Sequence, residues 1–318
     1  MRPSPAEALA GSPSRGQVDP VGPPPSRDPK MISSYSPNQI FLEVLGCRVR
    51  IECRDPKTLE LILGNYGGMQ GRNFGPSHLD YVVETCRKDP GFRIASRGSK
   101  PRMTADDGEF LFLIEKDMTI ELQKLRPDLY FVHAAALGLS GRAFLLVAAA
   151  GRGKSTTTWA LLHHGFDYLS DELAPLDLDR LEVQPYPHAI CLKKEPPCPY
   201  SLPDKTLRTS FTMHVPTSQL PTAAILKSMP VTALFFLEYR PGLNSPTVRL
   251  LSKAETATRL FVHALNPLAH AEDGLAGAVA IARKVPAFQL DSGDLRPTCA
   301  LINETLERAG EANVSLSA

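Results

Sequence analysis

The feature that most constrains the fold of this chain is an apolar run that breaks into a glycine-rich turn followed by lysine and serine. Residues 144–155 read FLLVAAAGRGKS. The apolar run indicates a buried strand, and the segment GRGKS indicates a phosphate-binding loop that opens a helix. Glycines let successive backbone N–H groups turn toward one anion, and the positive end of the helix dipole faces the same anion. The pattern therefore predicts that the chain binds a nucleotide.

Each position of this loop has an expected role. Lys154 is expected to reach the β- and γ-phosphates and the Ser155 hydroxyl to hold Mg²⁺. Ala148 stands where a Walker-type loop usually opens with glycine, and alanine fits there if the backbone angles are ordinary. Arg152 is expected to face solvent, and Lys154 to be exposed enough that its replacement leaves the fold intact. The predicted nucleotide-binding residues are Ala150, Gly151, Arg152, Gly153, Lys154, Ser155 and Thr156.

The segment after the loop supports this interpretation. Residues 155–164 have the composition of a short helix, and Gly165 follows as a C-terminal cap would. Residues 166–173, FDYLSDEL, then place Asp171 and Glu172 at the end of a neighbouring strand. One carboxylate can hold Mg²⁺ while the other takes the proton of an attacking hydroxyl. The predicted metal ligands are Ser155 and Asp171.

Residues 131–177 resemble the core of HPr kinase/phosphorylase and the bacterial HPr-kinase-related proteins. In that family a histidine on a strand precedes a turn, a second strand, a GxSGxGKS loop, a helix that ends in glycine, and a pair of acids. The same order recurs here, with His133 before the turn at 139–141 and Asp171–Glu172 after Gly165.

The resemblance implies a fold and an activity. The fold would be α/β, with an HPr kinase C-terminal-domain-like, phosphoenolpyruvate-carboxykinase-like P-loop core and a small α+β N-terminal region. The activity would be ATP- and Mg²⁺-dependent transfer of phosphate to a serine, with Asp171, Glu172 and His133 as the catalytic residues. An HPr-like protein or a peptide is the acceptor that the resemblance implies, and the true HPr kinases form rings, so a homo-oligomer is an open expectation.

The departures from the family keep alternatives open. Ala150 stands where the family has serine, Glu172 where the bifunctional enzymes have aspartate, and Ala134 where they have glycine. The Gly-rich segment of the phosphorylase reaction has no clear counterpart. One alternative is therefore a nucleotide-binding regulatory or assembly protein that has lost phosphoryl transfer. Another is carboxykinase-like chemistry on a small acid, which related folds permit.

Composition limits the remaining function classes. The chain has 318 residues, with 35 Lys plus Arg against 34 Asp plus Glu, so no global basic field favours nucleic acid or an anionic membrane. No apolar run is long enough to span a membrane, and no signal peptide is recognisable. The six cysteines show no CxxC pair, so we expect reduced thiols and a cytoplasmic location.

The chain divides by composition into a predicted tail followed by two predicted regions. Residues 1–35 are rich in Pro, Ser and Gly and predict a disordered tail, within which Met31 is a second candidate start. Residues 36–126, which we call the front region, predict an accessory α+β region. Residues 127–312, the second region, predict the kinase-like ATP-binding domain.

Specific elements are predicted within these regions. A β-hairpin is expected over 39–53 and a short helix over 59–63. A strand over 110–115 and a helix over 117–125 should follow. In the second region, strands are expected over 129–137, 142–147, 166–170, 231–239 and 287–290, and helices over 255–265, 274–283 and 295–308. The proline-rich segment 186–221 is predicted to be a loop that recognises substrate or covers the nucleotide.

Overall fold

The computed structural model describes residues 38–72, 75–85 and 91–315, with side chains up to residue 309. The predicted tail over 1–35 and the start at Met31 lie outside the described residues. The described residues form a mixed α/β fold with three sheets. No helix among them is both long enough and apolar enough to cross a membrane. The five cysteines in this part of the chain are all unpaired.

A five-stranded sheet, the front sheet, is built by the first part of the chain. Its strands follow the order β1-β2-β3-β4-β5. The predicted hairpin is confirmed, because Leu45 and Gly46 both have positive φ and form the two-residue turn that joins β1 to β2. The strands are β1 (Gln39–Val44), β2 (Cys47–Cys53), β3 (Leu79–Thr85), β4 (Phe92–Ser96) and β5 (Arg102–Thr104), and the helices packed on this sheet are α1 (Pro56–Tyr66) and α2 (Asp107–Leu125).

The strand predicted over 110–115 is wrong, because these residues form the first half of α2. Asp106 caps the helix by accepting a hydrogen bond from the Glu109 backbone N–H at 2.8 Å. The apolar residues of the run follow the helical period, with Phe110, Ile114 and Met118 buried on one face while Phe112 is exposed. The predicted helix over 117–125 is the second half of the same element.

A larger sheet forms the centre of the second region. Its strand order is β6-β10-β11-β15-β8-β7-β9, with β17 beside β15 and β16 beside β17. The strands β8 and β17 run parallel to β15, whereas β7 runs antiparallel to both β8 and β9. The strands are β6 (Tyr130–Val132), β7 (Ala134–Leu139), β8 (Arg142–Val147), β9 (Asp167–Ser170), β10 (Ala174–Asp177), β11 (Glu182–Val183), β15 (Met229–Tyr239), β16 (Thr247–Leu250) and β17 (Ala287–Ser292).

Helices cover both faces of this central sheet. Alternate residues of β8 show the arrangement, because Phe144 and Leu146 face one core and Leu145 and Val147 face the other. The helices α3 (Lys154–His163) and α6 (Leu295–Ser315) pack on the first face, and α4 (Lys253–Val262) and α5 (Leu275–Lys284) on the second. The predicted layered α/β arrangement is confirmed.

Two further expectations are corrected. The strand predicted over 129–137 is two strands, β6 and β7, which break at His133 and pair with different neighbours. The segment 186–221 is not an irregular loop, since it contains a three-stranded sheet of β12 (Ile190–Leu192), β13 (Leu207–Arg208) and β14 (Met213–Val215). The indole N–H of Trp159 donates to the Tyr200 carbonyl at 2.9 Å and holds this segment against α3.

The front sheet and the second region share a hydrophobic core. Leu129, Phe131, Leu173 and Tyr186 belong to the second region by sequence but are buried with the residues beneath the front sheet. The boundary at 126/127 therefore stays a prediction, and the front region packs against β6 and against the segment after β9.

Candidate active site

Three neighbouring strands of the central sheet bring the predicted site residues to one edge. Val147 pairs with Ala134 and Ser170 pairs with Ala136, so β8 and β9 end where β7 begins. His133 directly precedes β7, the glycine loop directly follows β8, and Asp171 directly follows β9. The break of the chain at His133 is fixed by its backbone N–H, which donates to the His263 carbonyl at 2.8 Å.

The glycine loop, residues 148–153, joins β8 to α3. Gly151 and Gly153 have φ values of +80° and +87°, a region that side chains with a Cβ rarely adopt. Gly153 is the N-cap of α3, and the first helical hydrogen bond runs from the Thr157 N–H to the Gly153 carbonyl at 2.8 Å. The loop therefore delivers the positive end of the α3 dipole to the sheet edge where the acids lie.

Lys154 is buried, with 5% of its surface exposed. Its ammonium donates to the Asp171 carbonyl and lies 3.2 Å from Glu172 Oε2 and 3.8 Å from Asp171 Oδ1. The expectation of an exposed loop lysine is wrong, because the Lys154 side chain lies against the two acids that follow β9. Lys154 is thus an anchor for the acid pair as well as a group that can meet phosphate.

Asp171 is completely buried, and neither of its carboxylate oxygens has a hydrogen-bond partner of normal geometry among the described residues. Burial raises the pKa of this carboxyl, and the charge of Glu172 acts in the same direction. The charge of Lys154 and the nearby Ser155 hydroxyl oppose this increase in pKa. Asp171 is therefore a carboxyl with two free acceptor positions and an increased affinity for a proton.

Glu172 has the opposite character. Burial acts to raise its pKa, but the charge of Lys154 and the hydrogen bond with His133 outweigh burial and lower it. His133 Nε2 lies 2.7 Å from Glu172 Oε2. The lowered pKa makes Glu172 a weak base, and its contacts suit it to hold His133 and Lys154 in place.

The remaining predicted site residues lie around this centre. Ser155 and Thr156 are in the first turn of α3, half-buried, and Ala150 and Gly151 are exposed in the loop. Arg152 Nη1 lies 2.7 Å from Glu238 Oε1, and about half of the Arg152 side chain is in solvent. The expectation that Arg152 faces solvent is confirmed.

Sequence reasoning missed two residues that the fold brings toward the acid pair. Glu115 comes from α2 of the front region, and His188 from the segment after β11, with 3.5 Å between Glu115 Oε1 and His188 Nε2. Burial raises the pKa of Glu115. The charges of His188 and Lys154 lower this pKa, whereas the charges of Asp171 and Glu172 raise it further. No short motif marks either residue, and the apolar run that ends at Glu115 predicts a strand rather than a helix.

The donor set can be compared with what Mg²⁺ requires. Among the described residues, no group of three or more His, Cys, Asp or Glu side chains could hold a metal ion by itself. Mg²⁺ usually takes one or two carboxylates together with phosphate oxygens and water. The two unpartnered oxygens of Asp171, next to the Ser155 hydroxyl, fit that pattern.

Comparison with known proteins adds little to this geometry. No family model matches the chain, and no curated protein matches it. A similar solved structure is the Hpr(Ser) kinase/phosphatase from Coxiella burnetii, at 14% identity and a TM-score of 0.30, over 58% of this chain and 98% of that one.

Proposed function

We propose that this protein is an ATP-dependent kinase of the HPr-kinase-related type, which transfers the γ-phosphate of ATP to a hydroxyl, a serine of a small protein or peptide. The observation that carries the proposal is the meeting of Lys154, Asp171 and Glu172 at the N-terminus of α3, with Lys154 Nζ within 4 Å of both carboxylates. Phosphoryl transfer depends mainly on positioning and on stabilising charge, and this arrangement supplies both.

The loop and α3 would hold the nucleotide phosphates. Backbone N–H groups at the start of a helix bind anions, and Gly151 and Gly153 give the loop the angles to turn inward. Lys154 would exchange part of its contact with Glu172 for a phosphate oxygen. Mg²⁺, held by Ser155 and Asp171 together with the phosphates, would neutralise charge on the transferred group.

Asp171 is the candidate proton acceptor for the attacking hydroxyl. Neither of its carboxylate oxygens has a hydrogen-bond partner among the described residues, whereas Glu172 Oε2 already contacts His133 and Lys154. Glu172 would keep His133 and Lys154 in position through its contacts of 2.7 and 3.2 Å. The acid pair thus divides into a base and a positioning group.

A transfer assay tests the proposal. The full chain would be incubated with Mg²⁺, ATP labelled at the γ-phosphate, and a serine-containing peptide library. We expect labelled phosphoserine with the parent, none with Asp171→Asn, and full labelling with Asp179→Asn, which changes an exposed aspartate outside the site. Labelling that persists in Asp171→Asn would contradict the assignment of the base.

A second candidate is a nucleotide-binding regulatory or assembly protein without transfer activity. The observation that favours it is the run Ala148 to Ala150, which leaves the start of the loop without a side-chain hydroxyl. Under this alternative the parent binds the nucleotide and labels no peptide in the same assay.

A further inference from the structure

Buried polar atoms without a hydrogen-bond partner are concentrated near the candidate active site. Buried groups of this kind are normally satisfied, so each exception needs an explanation. Among the described residues, the side-chain atoms in this condition are Asn65 Nδ2, Tyr66 Oη, Glu115 Oε1, Thr158 Oγ1, Ser170 Oγ, both Asp171 carboxylate oxygens, Tyr186 Oη, and both ring nitrogens of His188.

Five of these residues form what we call the polar cluster: Asn65, Tyr66, Glu115, Tyr186 and His188. Asn65 and Tyr66 end α1, and Glu115 is in the middle of α2. All but Glu115 are at most 1% exposed. The Tyr186 and His188 rings lie 5.2 Å apart, and His188 Nε2 lies 3.5 Å from Glu115 Oε1.

The polar cluster is next to the acid pair. The Tyr186 N–H donates to the Leu169 carbonyl at 3.0 Å, and the Tyr168 hydroxyl donates to the His188 carbonyl at 2.9 Å. These bonds tie the cluster to β9, the strand that ends at Asp171. The charges of Asp171 and Glu172 also raise the pKa of Glu115.

The chemistry of the cluster selects a type of ligand. Burial raises the pKa of Tyr66 and Tyr186, so both hydroxyls keep their protons and can donate or accept. Asn65 Nδ2 can only donate, and the His188 ring has two nitrogens that can take part in hydrogen bonds. The cluster contains no lysine or arginine, and its one carboxyl, Glu115, lies 3.5 Å from His188 Nε2 and would repel an anion. Mixed donors and acceptors without a fixed cation match hydroxyl groups.

We propose that the polar cluster binds the hydroxyl-bearing group of the acceptor, and that this group is small and uncharged. The inference rests on the proposed function, because it makes the cluster the acceptor side of the same site. Two sources offer this chemistry: a free polyol, or a serine side chain of a peptide. The front region would then complete the active site, since α1 and α2 supply three of the five residues.

Ligand-observed saturation-transfer NMR on the full chain tests the proposal with three probes. Glycerol represents a free polyol, acetyl-serinamide represents a serine in a peptide, and glycerate is the anionic control for glycerol. We expect one of the neutral probes to bind and glycerate not to bind, and the neutral probe that binds identifies the source. Binding of neither neutral probe, or binding of glycerate as strong as that of glycerol, would overturn the proposal.

Tyrosine-to-phenylalanine variants locate the binding. Tyr66→Phe and Tyr186→Phe each remove one unpartnered hydroxyl and keep the ring. Each variant should bind the probe with an affinity about five-fold lower than that of the parent, which is the effect of one hydrogen bond. Tyr81→Phe is the matched control, because the Tyr81 hydroxyl is also buried but already donates to Asp117 at 3.0 Å. Equal probe affinity in all three variants and the parent would overturn the assignment.

Thermal unfolding without any ligand separates a binding site from a permanent water network. Removing a hydroxyl without a partner should leave Tm unchanged or raise it, whereas Tyr81→Phe should lower it. If Tyr66→Phe and Tyr186→Phe lower Tm as much as Tyr81→Phe does, fixed water satisfies the cluster and the proposal fails. Nucleotide binding, measured on the same samples, is a test separate from probe binding. A protein that binds the probe but no nucleotide would overturn the proposed kinase function and leave the polar cluster as a binding site.

Discussion

Replacing Lys154 with methionine should destabilise the ligand-free protein, although the sequence alone suggests an exposed residue. Methionine keeps the unbranched stem and removes the ammonium. The change takes away the donor to the Asp171 carbonyl and the contact of 3.2 Å with Glu172. Asp171, completely buried and without a hydrogen-bond partner among the described residues, would lose its nearest compensating charge at 3.8 Å.

The magnitude follows from the surroundings of the three charges. Breaking a buried ion pair by removing one partner costs about 3–5 kcal/mol. Two features reduce this cost here: the Glu172 side chain is 38% exposed, and Asp171 has a raised pKa and can take up a proton. We therefore expect a loss of about 2–3 kcal/mol, which for a chain of this size lowers Tm by roughly 4–10 °C.

Thermal unfolding followed by circular dichroism at pH 7.5 measures this loss. The matched control is Arg152→Met in the same loop, because the pair of Arg152 with Glu238 is exposed and should contribute less than about 1 kcal/mol. A Tm for Lys154→Met equal to that of Arg152→Met would refute the reasoning, since it would mean that Lys154 is not part of a buried ion pair.

The pH dependence supplies a second check on Lys154. Its charge is the largest favourable contribution to the lowered pKa of Glu172, whose ordinary value is 4.5. A carboxyl whose pKa is lowered in the folded state stabilises the fold at pH values above its ordinary pKa. This stabilisation is lost as the pH falls through the pKa of the folded state. The difference in stability between the parent and Lys154→Met should therefore narrow below pH 4.5. A difference that widens on acidification would contradict the account.

Three other predictions follow from single sites. Asp171→Asn should keep nucleotide binding in the absence of Mg²⁺ but lose transfer, and loss of that binding together with unfolding of the protein would mark the residue as structural. Burial lowers the pKa of His214 from 6.5 to about 4. The unfolded chain therefore binds more protons between these pH values, and the free energy of unfolding should fall by up to about 3 kcal/mol as the pH drops from 6.5 to 4. Urea unfolding of His214→Gln should show a smaller dependence on pH than the parent, and an equal dependence would refute this prediction. Asp106→Ala should cost about 1 kcal/mol in urea unfolding through loss of the α2 cap, whereas the exposed Asp107→Ala should change little; equal losses would contradict the capping role.

The parts of the site that depend on neighbouring residues were predictable from the sequence. The apolar run of β8, the glycine loop, α3 and the turn at Gly165 follow one another with strong local signals, and their bounds agree closely with the structure. Asp171 and Glu172 could be placed because a short strand precedes them. Local hydrophobic pattern and turn chemistry were sufficient for these elements.

The parts that depend on long-range packing were not predictable. The burial of Lys154 follows from its contacts with Asp171 and Glu172 after the end of β9, which the residues of the loop do not encode. Glu115 reaches the acid pair only because α2 packs beneath the front sheet, and the apolar run 110–114 reads equally well as a strand. The pattern Asp106-x-x-Glu109 is a capping signal that could have identified the helix.

Calorimetric titration with a non-hydrolysable ATP analogue, with and without Mg²⁺, tests the central claim most directly. The account predicts saturable binding that strengthens with Mg²⁺, is lost in Lys154→Met and is retained in Arg152→Met. Absence of binding to the folded parent, or equal binding by the parent and Lys154→Met, would contradict the claim that the glycine loop and Lys154 form a nucleotide site.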